Sequence, residues 1–408
     1  MTSIARSLAG LLTAMTLLVT GCTSGTGTGG NESTGGSAGG DGSSPSQNIT
    51  EEADMSSGNN SYTANGQNVK LIGRTAEEDG ILWLAHSASG FEFTFTGTSA
   101  SVTVVGDNMI SQPDKRARFA AYVDGERVLD EQVDSEEKTY EIFSSDSEKE
   151  TTIKLLKLSE AAESTMGIKS IDVVGGALSP TAEKSLKIEF IGDSITCGYG
   201  VDDEDRDHHF STATEDATRA YAYKTAQLLD ADYSLVSYSG HGIISGYTDN
   251  GTKVTSQTVP PIYEQFAKSY GSTFEFNAAY VDWDFSRFVP DVVVINLGTN
   301  DASYAAGDRD KVNEYSEAYV EFLKKVREHN PDAYILCVLG VMGADLFIGV
   351  RNAVDAYTEE TGDTRVSALR LTAQNGSTGY AADWHPTEAT HEIAANEVAE
   401  EIKTVLAQ

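Results

Sequence analysis

The sequence predicts an α/β protein, in which an antiparallel β-sandwich precedes a three-layer α/β/α domain built on a parallel sheet. Three observations lead to this prediction. Between residues 61 and 180, apolar and polar residues alternate with a period of two. From residue 185 to 408, short apolar runs alternate with amphipathic helical patterns. The length of 408 residues is also more than one domain usually needs.

The first 60 residues predict export and a tether. Arg6 precedes an apolar stretch, Leu8 to Thr20, which is too short for a membrane span of ~20 residues and is typical of a signal peptide over residues 1–22. This stretch runs into Val19-Thr20-Gly21-Cys22, which resembles a bacterial lipobox and implies a lipid on Cys22; an ordinary cleaved signal is the alternative. Residues 23–60, rich in Gly, Ser and Thr, predict a flexible linker. We expect a lipoprotein exported to the cell surface and anchored to the membrane.

The segment over residues 61–180 carries the signs of a sandwich. Phe91, Phe93 and Phe95 alternate with polar residues, as in a strand with one buried face. Asp124-Gly125 lies between two strand-like segments and predicts a tight hairpin. Short strands without a long amphipathic helix favour an antiparallel sandwich. No catalytic constellation is evident in this segment.

The segment over residues 185–408 predicts a parallel sheet covered by helices. Apolar runs at 188–191, 234–236, 292–297 and 333–339 predict buried strands. Two sets of apolar residues fall on single helix faces: Val312, Tyr315, Tyr319, Phe322, Leu323 and Val326, and then Ala394, Val398, Ile402 and Val405. In such sheets the chemistry gathers at the carboxyl ends of the strands.

Charge and cysteine content narrow the function classes. The chain has 62 Asp and Glu against 29 Lys and Arg, a formal net charge of −33. This balance excludes a nucleic-acid binder that neutralises phosphates, and it favours a neutral substrate. After Cys22 only Cys197 and Cys337 remain, too few for a fold stapled by disulfides. Cys337 lies in an apolar run and is predicted to be core.

Three polar residues and one glycine segment lie where the predicted strands or loops reach the carboxyl edge of the parallel sheet. Ser194 follows the first strand and Gly192, at a sharp turn that would expose its hydroxyl. A glycine segment at 237–243 follows the second strand, and Asn300 follows the third. His385 lies in a loop stiffened by proline before the last helix. Singly, these residues are also ordinary caps, turn residues or a structural histidine.

Together and in order, these segments resemble the SGNH (GDSL-type) hydrolases. The resemblance rests on Gly192-Asp193-Ser194, the glycine segment, Gly298-Thr299-Asn300-Asp301 and Asp383-Trp384-His385-Pro386. Residues 188–200 and the last of these motifs are most similar to carbohydrate esterase family 2. The resemblance implies a flavodoxin-like SGNH domain at 185–408 behind a jelly-roll sandwich at 61–180. It also implies removal of acetyl groups from plant cell-wall polysaccharides such as xylan or glucomannan.

The resemblance implies a role for each motif residue. Ser194 would be the nucleophile and His385 its general base. The oxyanion would receive hydrogen bonds from the Ser194 N–H, the Asn300 amide and a glycine N–H, with Gly242 matching the family better than Gly240. Many SGNH enzymes complete a triad with an acid three residues before the histidine, where this chain has Ala382. Two arrangements therefore stay open: a triad through Asp383, or a dyad whose imidazole is oriented by a backbone carbonyl.

Trp384, Trp283 and Tyr199 are candidate substrate-binding residues, with burial in the core as the alternative for both tryptophans. The acidic run 202–207, followed by two histidines, lacks the turn glycine and terminal Glu of a calcium loop and is interpreted as solvated, so neither a metal nor a cofactor is expected. The expected partners are an acetylated polysaccharide or oligosaccharide and, through Cys22, a membrane. The alternatives are an esterase on another acyl substrate and an inactive carbohydrate-binding surface protein.

Overall fold

The computed structural model of the protein describes residues 58–273 and 276–407. The predicted signal peptide, Cys22 and nearly all of the predicted linker lie outside the described residues. The first strand begins at Asn59, two residues before the predicted start of the sandwich. Within the described ranges, no helix is both long and apolar enough to cross a bilayer.

The N-terminal domain consists of antiparallel strands. They are β1 (Asn59–Tyr62), β2 (Lys70–Ile72), β3 (Thr75–Glu78), β4 (Ile81–Leu84), β5 (Gly90–Gly106), β6 (Arg118–Val123), β7 (Glu126–Gln132), β8 (Glu137–Lys157), β9 (Met166–Gly175) and β10 (Ser179–Pro180). The main path runs β3-β4-β9-β5-β8-β6-β7. The predicted hairpin is confirmed: Asp124 and Gly125 join β6 to β7 with φ angles of 50° and 88°. The predicted period of two is also confirmed, because Phe91, Phe93 and Phe95 are all buried in the core of this domain.

The C-terminal domain is the predicted parallel sheet. Its strands are β11 (Leu186–Gly192), β12 (Ala231–Ser237), β13 (Val292–Asn296), β14 (Tyr334–Val341) and β15 (Val366–Ala373). They pair in the order β12-β11-β13-β14-β15, which is the flavodoxin-like order, and the order reverses between β11 and β13. Sequence patterning missed β15, since this edge strand is half exposed and its run is not continuously apolar.

Helices cover both faces of this sheet, which confirms the predicted fold class. They are α1 (Ser194–Cys197), α2 (Tyr221–Leu228), α3 (Thr299–Ala305), α4 (Arg309–His329), α5 (Phe347–Thr361) and α6 (Glu388–Leu406). Alternate residues of β13 enter different cores: Val293 and Ile295 pack with α4 and α5, and Val292 and Val294 pack with α2 and α6. The apolar faces predicted for α4 and α6 are buried in these cores.

The two domains share buried surface and form one compact unit. Trp83 of the sandwich stacks on Phe276 of the C-terminal domain, with ring centroids 4.6 Å apart. Arg74, which is fully buried, reaches across to the Glu189 carboxylate of β11 at 3.1 Å. The segment joining β8 to β9 lies against the loops at the carboxyl edge of the parallel sheet. The sandwich therefore contributes to the surroundings of that edge.

Candidate active site

Ser194 stands at the carboxyl end of β11, where the strand order reverses. Asp193 caps the short helix α1 by accepting the Ile195 N–H at 3.0 Å, and Ser194 is the first helical residue. A first helical residue has no intrahelical partner for its N–H, so this donor is free to face a ligand. Gly192 permits the tight turn, since a Cβ there would lie 2.0 Å from the Thr196 hydroxyl. The local sequence thus places a hydroxyl and an N–H together above the sheet.

The imidazole of His385 lies beside this hydroxyl, although 191 positions separate the two residues. The distance from His385 Nε2 to Ser194 Oγ is 2.9 Å, within hydrogen-bond reach. The chain reaches this position through an unusual turn, in which Asp383 and Trp384 both adopt left-handed φ angles, 48° and 64°. Consecutive non-glycine residues in this region store strain, which is a recurrent feature of functional sites.

The other imidazole nitrogen of His385 is bound by backbone. Its Nδ1 lies 3.2 Å from the carbonyl oxygen of Ala382. The ring also stacks on Tyr199, with centroids 3.9 Å apart and planes 19° from parallel. Burial lowers the pKa of His385 to about 4, so the imidazole is neutral at neutral pH. A neutral imidazole oriented in this way can accept a proton from Ser194.

Asp383 does not occupy the place of a triad acid. Its Oδ2 accepts the Tyr199 hydroxyl at 2.6 Å and the Phe210 N–H at 3.1 Å, and its Oδ1 lies 3.0 Å from His209 Nδ1. The left-handed turn directs this carboxylate toward the loop at 203–210, away from the imidazole of His385. Of the two arrangements that the sequence left open, the geometry matches the second: Ser194 contacts His385, and the carbonyl of Ala382 binds the other imidazole nitrogen.

The glycine loop after β12 also differs from expectation. The N–H of Gly242 donates to the Gln257 carbonyl at 3.2 Å, so it is not free for an oxyanion. Gly240 has a φ of 73°, and its N–H makes no hydrogen bond within the described part of the chain. Of the two glycines that the sequence left open, Gly240 is thus the one with an available N–H, and the preference for Gly242 is corrected.

Asn300 is placed between the serine and the glycine loop. Its Nδ2 donates to the His241 carbonyl at 2.8 Å and lies 3.4 Å from Asp193 Oδ2, the long limit for a hydrogen bond. The second N–H is therefore only weakly engaged. Asn300 is buried, and its contact with Asp193 places it near the residue that precedes Ser194.

Asp301, the next residue, holds the glycine loop in place through hydrogen bonds. Its carboxylate accepts the N–H groups of Ile243, Ile244 and Ser245 at 2.8 to 3.0 Å. Burial raises the pKa of Asp301 to about 6, against the opposing effect of these hydrogen bonds. This role of Asp301 could not be predicted from the sequence, because an Asp after Asn is most often an ordinary turn residue.

The predicted aromatic platforms divide between surface and core. Trp384 is half exposed and lies beside Tyr380, with the Arg206 guanidinium 4.1 Å above its ring. Tyr199 stacks on the ring of His385. Trp283 is not a platform: it is 7% exposed and packs between two arginines at the domain interface. Its burial realises the core alternative and corrects the substrate-binding prediction.

The acidic run 202–207 folds into a loop whose carboxylates contact His208, the first histidine after it. His208 lies 3.0 Å from an Asp203 carboxylate oxygen and 3.4 Å from one of Asp205. Together with Tyr380, the loop borders an open depression of about 660 Å³ next to Trp384. Tyr247, which follows the glycine loop in the chain, is 61% exposed, and its N–H donates to the Gly240 carbonyl. Tyr247 belongs to none of the sequence motifs, so local patterning gave no sign of its exposed ring.

A serine hydroxyl beside a neutral imidazole, at the switch point of a flavodoxin-like sheet, defines a GDSL-like hydrolase. Residues 190–393 match the GDSL-like lipase/acylhydrolase family, and residues 71–181 match the carbohydrate esterase 2 N-terminal family. A family two carbohydrate esterase from Clostridium thermocellum, solved with cellohexaose, superposes with a TM-score of 0.72 at 32% identity, covering 83% of this chain and 99% of that chain. The chain therefore belongs to carbohydrate esterase family 2.

Curated relatives agree with this assignment. The cellulase/esterase CelE of Acetivibrio thermocellus is 36% identical over 330 residues, 79% of this chain and 37% of that protein, so the chain spans well under half of its length. An acetylxylan esterase / glucomannan deacetylase of Cellvibrio japonicus is 23% identical over 360 residues, 86% of this chain and 93% of that protein. An acetyl xylan esterase from Butyrivibrio proteoclasticus, 23% identical with a TM-score of 0.75 over 86% of this chain and 98% of that chain, shares the fold.

Proposed function

We propose that this protein is an extracellular carbohydrate O-acetyl esterase that acts on acetylated plant polysaccharide, xylan or glucomannan, by serine acyl transfer. The observation that carries the proposal is the 2.9 Å contact between Ser194 Oγ and His385 Nε2. Family membership supports the substrate class, since relatives are acetylxylan esterases or glucomannan deacetylases and one is solved with cellohexaose.

In the proposed reaction, His385 removes the proton of Ser194 as its oxygen attacks the acetyl carbonyl carbon. The negative charge on the carbonyl oxygen is met by the N–H groups of Ser194 and Gly240 and by Asn300 Nδ2, and losing one such donor typically costs about 3 kcal/mol of barrier. The imidazolium then gives its proton to the sugar oxygen as the bond from this oxygen to the acetyl carbon breaks, so the sugar leaves with a free hydroxyl and the acetyl group stays on Ser194. Water, activated by the same imidazole, releases acetate from the acyl-serine.

The surroundings of the serine favour a neutral, extended sugar substrate. Trp384, which precedes His385 in the chain, and Tyr247, whose N–H binds the Gly240 carbonyl, present half-exposed or exposed rings on which a sugar face can stack. The net charge of −33 opposes binding of polyanions, nucleic acid included. An acetylated but otherwise uncharged polysaccharide or oligosaccharide meets both conditions.

The nucleophile is tested by Ser194→Ala. We expect acetate release from acetylated xylan or glucomannan to fall at least about 10³-fold, because the attacking oxygen is removed, while the melting temperature stays close to that of the parent. Ser286→Ala, at an exposed serine before β13 on the opposite edge of the sheet, is the control and should keep full activity. Acetate release by the Ser194 variant at the parental rate would overturn the proposal.

The acyl group is tested separately, because esterases of the GDSL-like family are not confined to acetyl groups. Hydrolysis of acetyl, butyryl and octanoyl esters of one alcohol should decline steeply with chain length. A preference for the octanoyl ester would instead support an esterase on another acyl substrate. Tight binding of xylan or glucomannan without hydrolysis of any ester would support an inactive carbohydrate-binding surface protein.

We also propose that the protein is a lipoprotein anchored through Cys22. The support is the short apolar stretch before Val19-Thr20-Gly21-Cys22 and the Gly-rich residues that follow it. In bacterial cells expressing the full chain, the parent should sediment with membranes and Cys22→Ser should not. Equal recovery of both in the soluble exported fraction would refute the anchor.

A further inference from the structure

The glycine loop at the serine is held by a carboxylate from the other domain. Glu160 lies in the segment that joins β8 to β9 of the sandwich, and its Oε2 accepts the N–H of Ser239 at 2.7 Å. Ser239 directly precedes Gly240, so this bond fixes the peptide plane next to the one that carries the free N–H. Glu160 is 1% exposed, and Ser239 is half-buried.

Glu160 is itself immobilised from several directions. Its N–H donates to Glu215 Oε2 at 2.9 Å, and its carbonyl accepts the Lys157 ammonium at 2.8 Å. The thiol of Cys197, three residues after the nucleophile, lies 3.9 Å from Glu160 Oε2. Lys157, Glu215 and Cys197 are all fully buried. The cluster therefore links the sandwich to α1 and to the glycine loop in one rigid arrangement.

Burying the Glu160 carboxylate among these fully buried side chains costs free energy, because a charged group loses its hydration. Burial raises the pKa of Glu160 to about 7 and raises that of Glu215 well above its usual range, while it lowers the pKa of Lys157 to about 8. Apolar side chains of similar volume often stabilise a protein as well as a buried ionic group does. What an apolar side chain would lack is an acceptor for the Ser239 N–H.

From this geometry we propose that Glu160 is a positioning residue for the esterase reaction: through it the sandwich domain sets the orientation of the Ser239-Gly240 peptide and hence of the oxyanion donor at Gly240. The inference rests on the proposed function for its effect on turnover. Its effect on the loop itself does not depend on any substrate.

The experiment compares Glu160→Ala with Glu160→Gln. The amide oxygen of Gln can still accept the Ser239 N–H, whereas Ala cannot. We expect Glu160→Ala to lower kcat for an acetyl ester about 10- to 100-fold, the scale of effect that misplacement of a catalytic group produces, with KM nearly unchanged. Glu160→Gln should keep most of kcat.

Glu189→Gln is the matched control for burial and domain contact. Glu189 is also a buried glutamate at the domain interface, but it binds Arg74 and the Tyr263 hydroxyl and does not touch the glycine loop. All variants are assayed well below their melting temperatures. Glu189→Gln should alter stability without the fall in kcat.

Amide hydrogen exchange of the peptide covering residues 237–245 gives a readout independent of activity. Exchange should accelerate in Glu160→Ala and stay at the parental rate in Glu160→Gln and Glu189→Gln, even if the parent hydrolyses no ester. Three results would overturn the inference: unchanged exchange and kcat in Glu160→Ala, equal losses of kcat in the Ala and Gln variants, or one equivalent of a metal ion bound to the purified parent. Metal binding is included as an outcome because oxygens of Glu160 and Glu215 and the sulfur of Cys197 lie within 4.8 Å of one another, close enough to share one ion.

Discussion

At the scale of single residues, the central feature is how His385 is oriented without an acid. The Ala382 carbonyl accepts from Nδ1, and Tyr199 supports the ring face, so tautomer and orientation are both fixed. A carbonyl oxygen carries only a partial charge and stabilises an imidazolium less than a carboxylate would. The nearby Asp383 instead braces the turn by holding Tyr199 and Phe210.

This arrangement makes Asp383→Asn a direct test of the dyad. The variant is nearly isosteric, and its amide oxygen can still accept from Tyr199 and Phe210, so we expect kcat to stay within about tenfold of the parent. In serine proteases with a triad, the equivalent replacement of the acid lowers kcat about 10⁴-fold. Steady-state kinetics on an acetyl ester distinguish the two outcomes, and a loss near the larger figure would show that Asp383 acts on the imidazole.

At the scale of elements, the loop after β12 is shaped by what surrounds its glycines. A Cβ on Gly242 would lie 2.2 Å from the Ser245 carbonyl oxygen and 2.3 Å from Asp301 Oδ2. Gly240 has open space around it, with its nearest neighbour 4.0 Å away, but its φ is 73°. One glycine therefore provides room for the Asp301 carboxylate, and the other provides a left-handed turn.

These different reasons predict different costs for the same substitution. Gly240→Ala should lower the free energy of unfolding by about 1–2 kcal/mol, the cost of a left-handed alanine. Gly242→Ala should cost more, because it displaces Asp301 from three N–H groups, and it should also lower kcat. Denaturant unfolding of both variants checks the order; a Gly242 variant more stable than the Gly240 variant would contradict this account of the loop.

At the scale of the whole molecule, the two domains are joined by a dry ionic contact. Arg74 donates to Glu189 and to the carbonyls of Tyr263 and Gln265, and aromatic rings enclose its guanidinium. Both ionic partners are almost completely buried. Because apolar residues of both domains also share the adjoining cores, we expect the domains to unfold together.

Arg74→Ala tests this coupling. Removing one member of a buried pair leaves the other charge uncompensated, so the free energy of unfolding should fall by about 3–5 kcal/mol. Lys70→Ala is the control, because its interdomain pair with Asp232 keeps 10% and 16% of its side-chain surface in water, so the free energy of unfolding should fall less than in Arg74→Ala. Calorimetry should show one transition for the parent; two separated transitions would show that the domains unfold independently.

The sequence by itself determined the features that are written in short stretches of chain. The period of two in the sandwich, the hairpin at Asp124-Gly125, four of the five parallel strands and the apolar faces of α4 and α6 follow from local alternation and turn chemistry. The order of the motifs also located the candidate residues, because parallel strands bring their carboxyl ends to one edge. Local patterning could not reveal β15, whose exposed side interrupts its apolar run.

Only the tertiary structure decided which groups bond to which. The partner of His385 Nδ1 depends on a left-handed turn at two non-glycine residues, a conformation that no propensity predicts. The burial of Trp283 and the hold of Glu160 on Ser239 depend on how two domains dock, through residues far apart in the chain. The physical reason is the range of the forces: periodicity reports the burial of a face, whereas a hydrogen bond needs two atoms placed within a few tenths of an ångström by the whole fold.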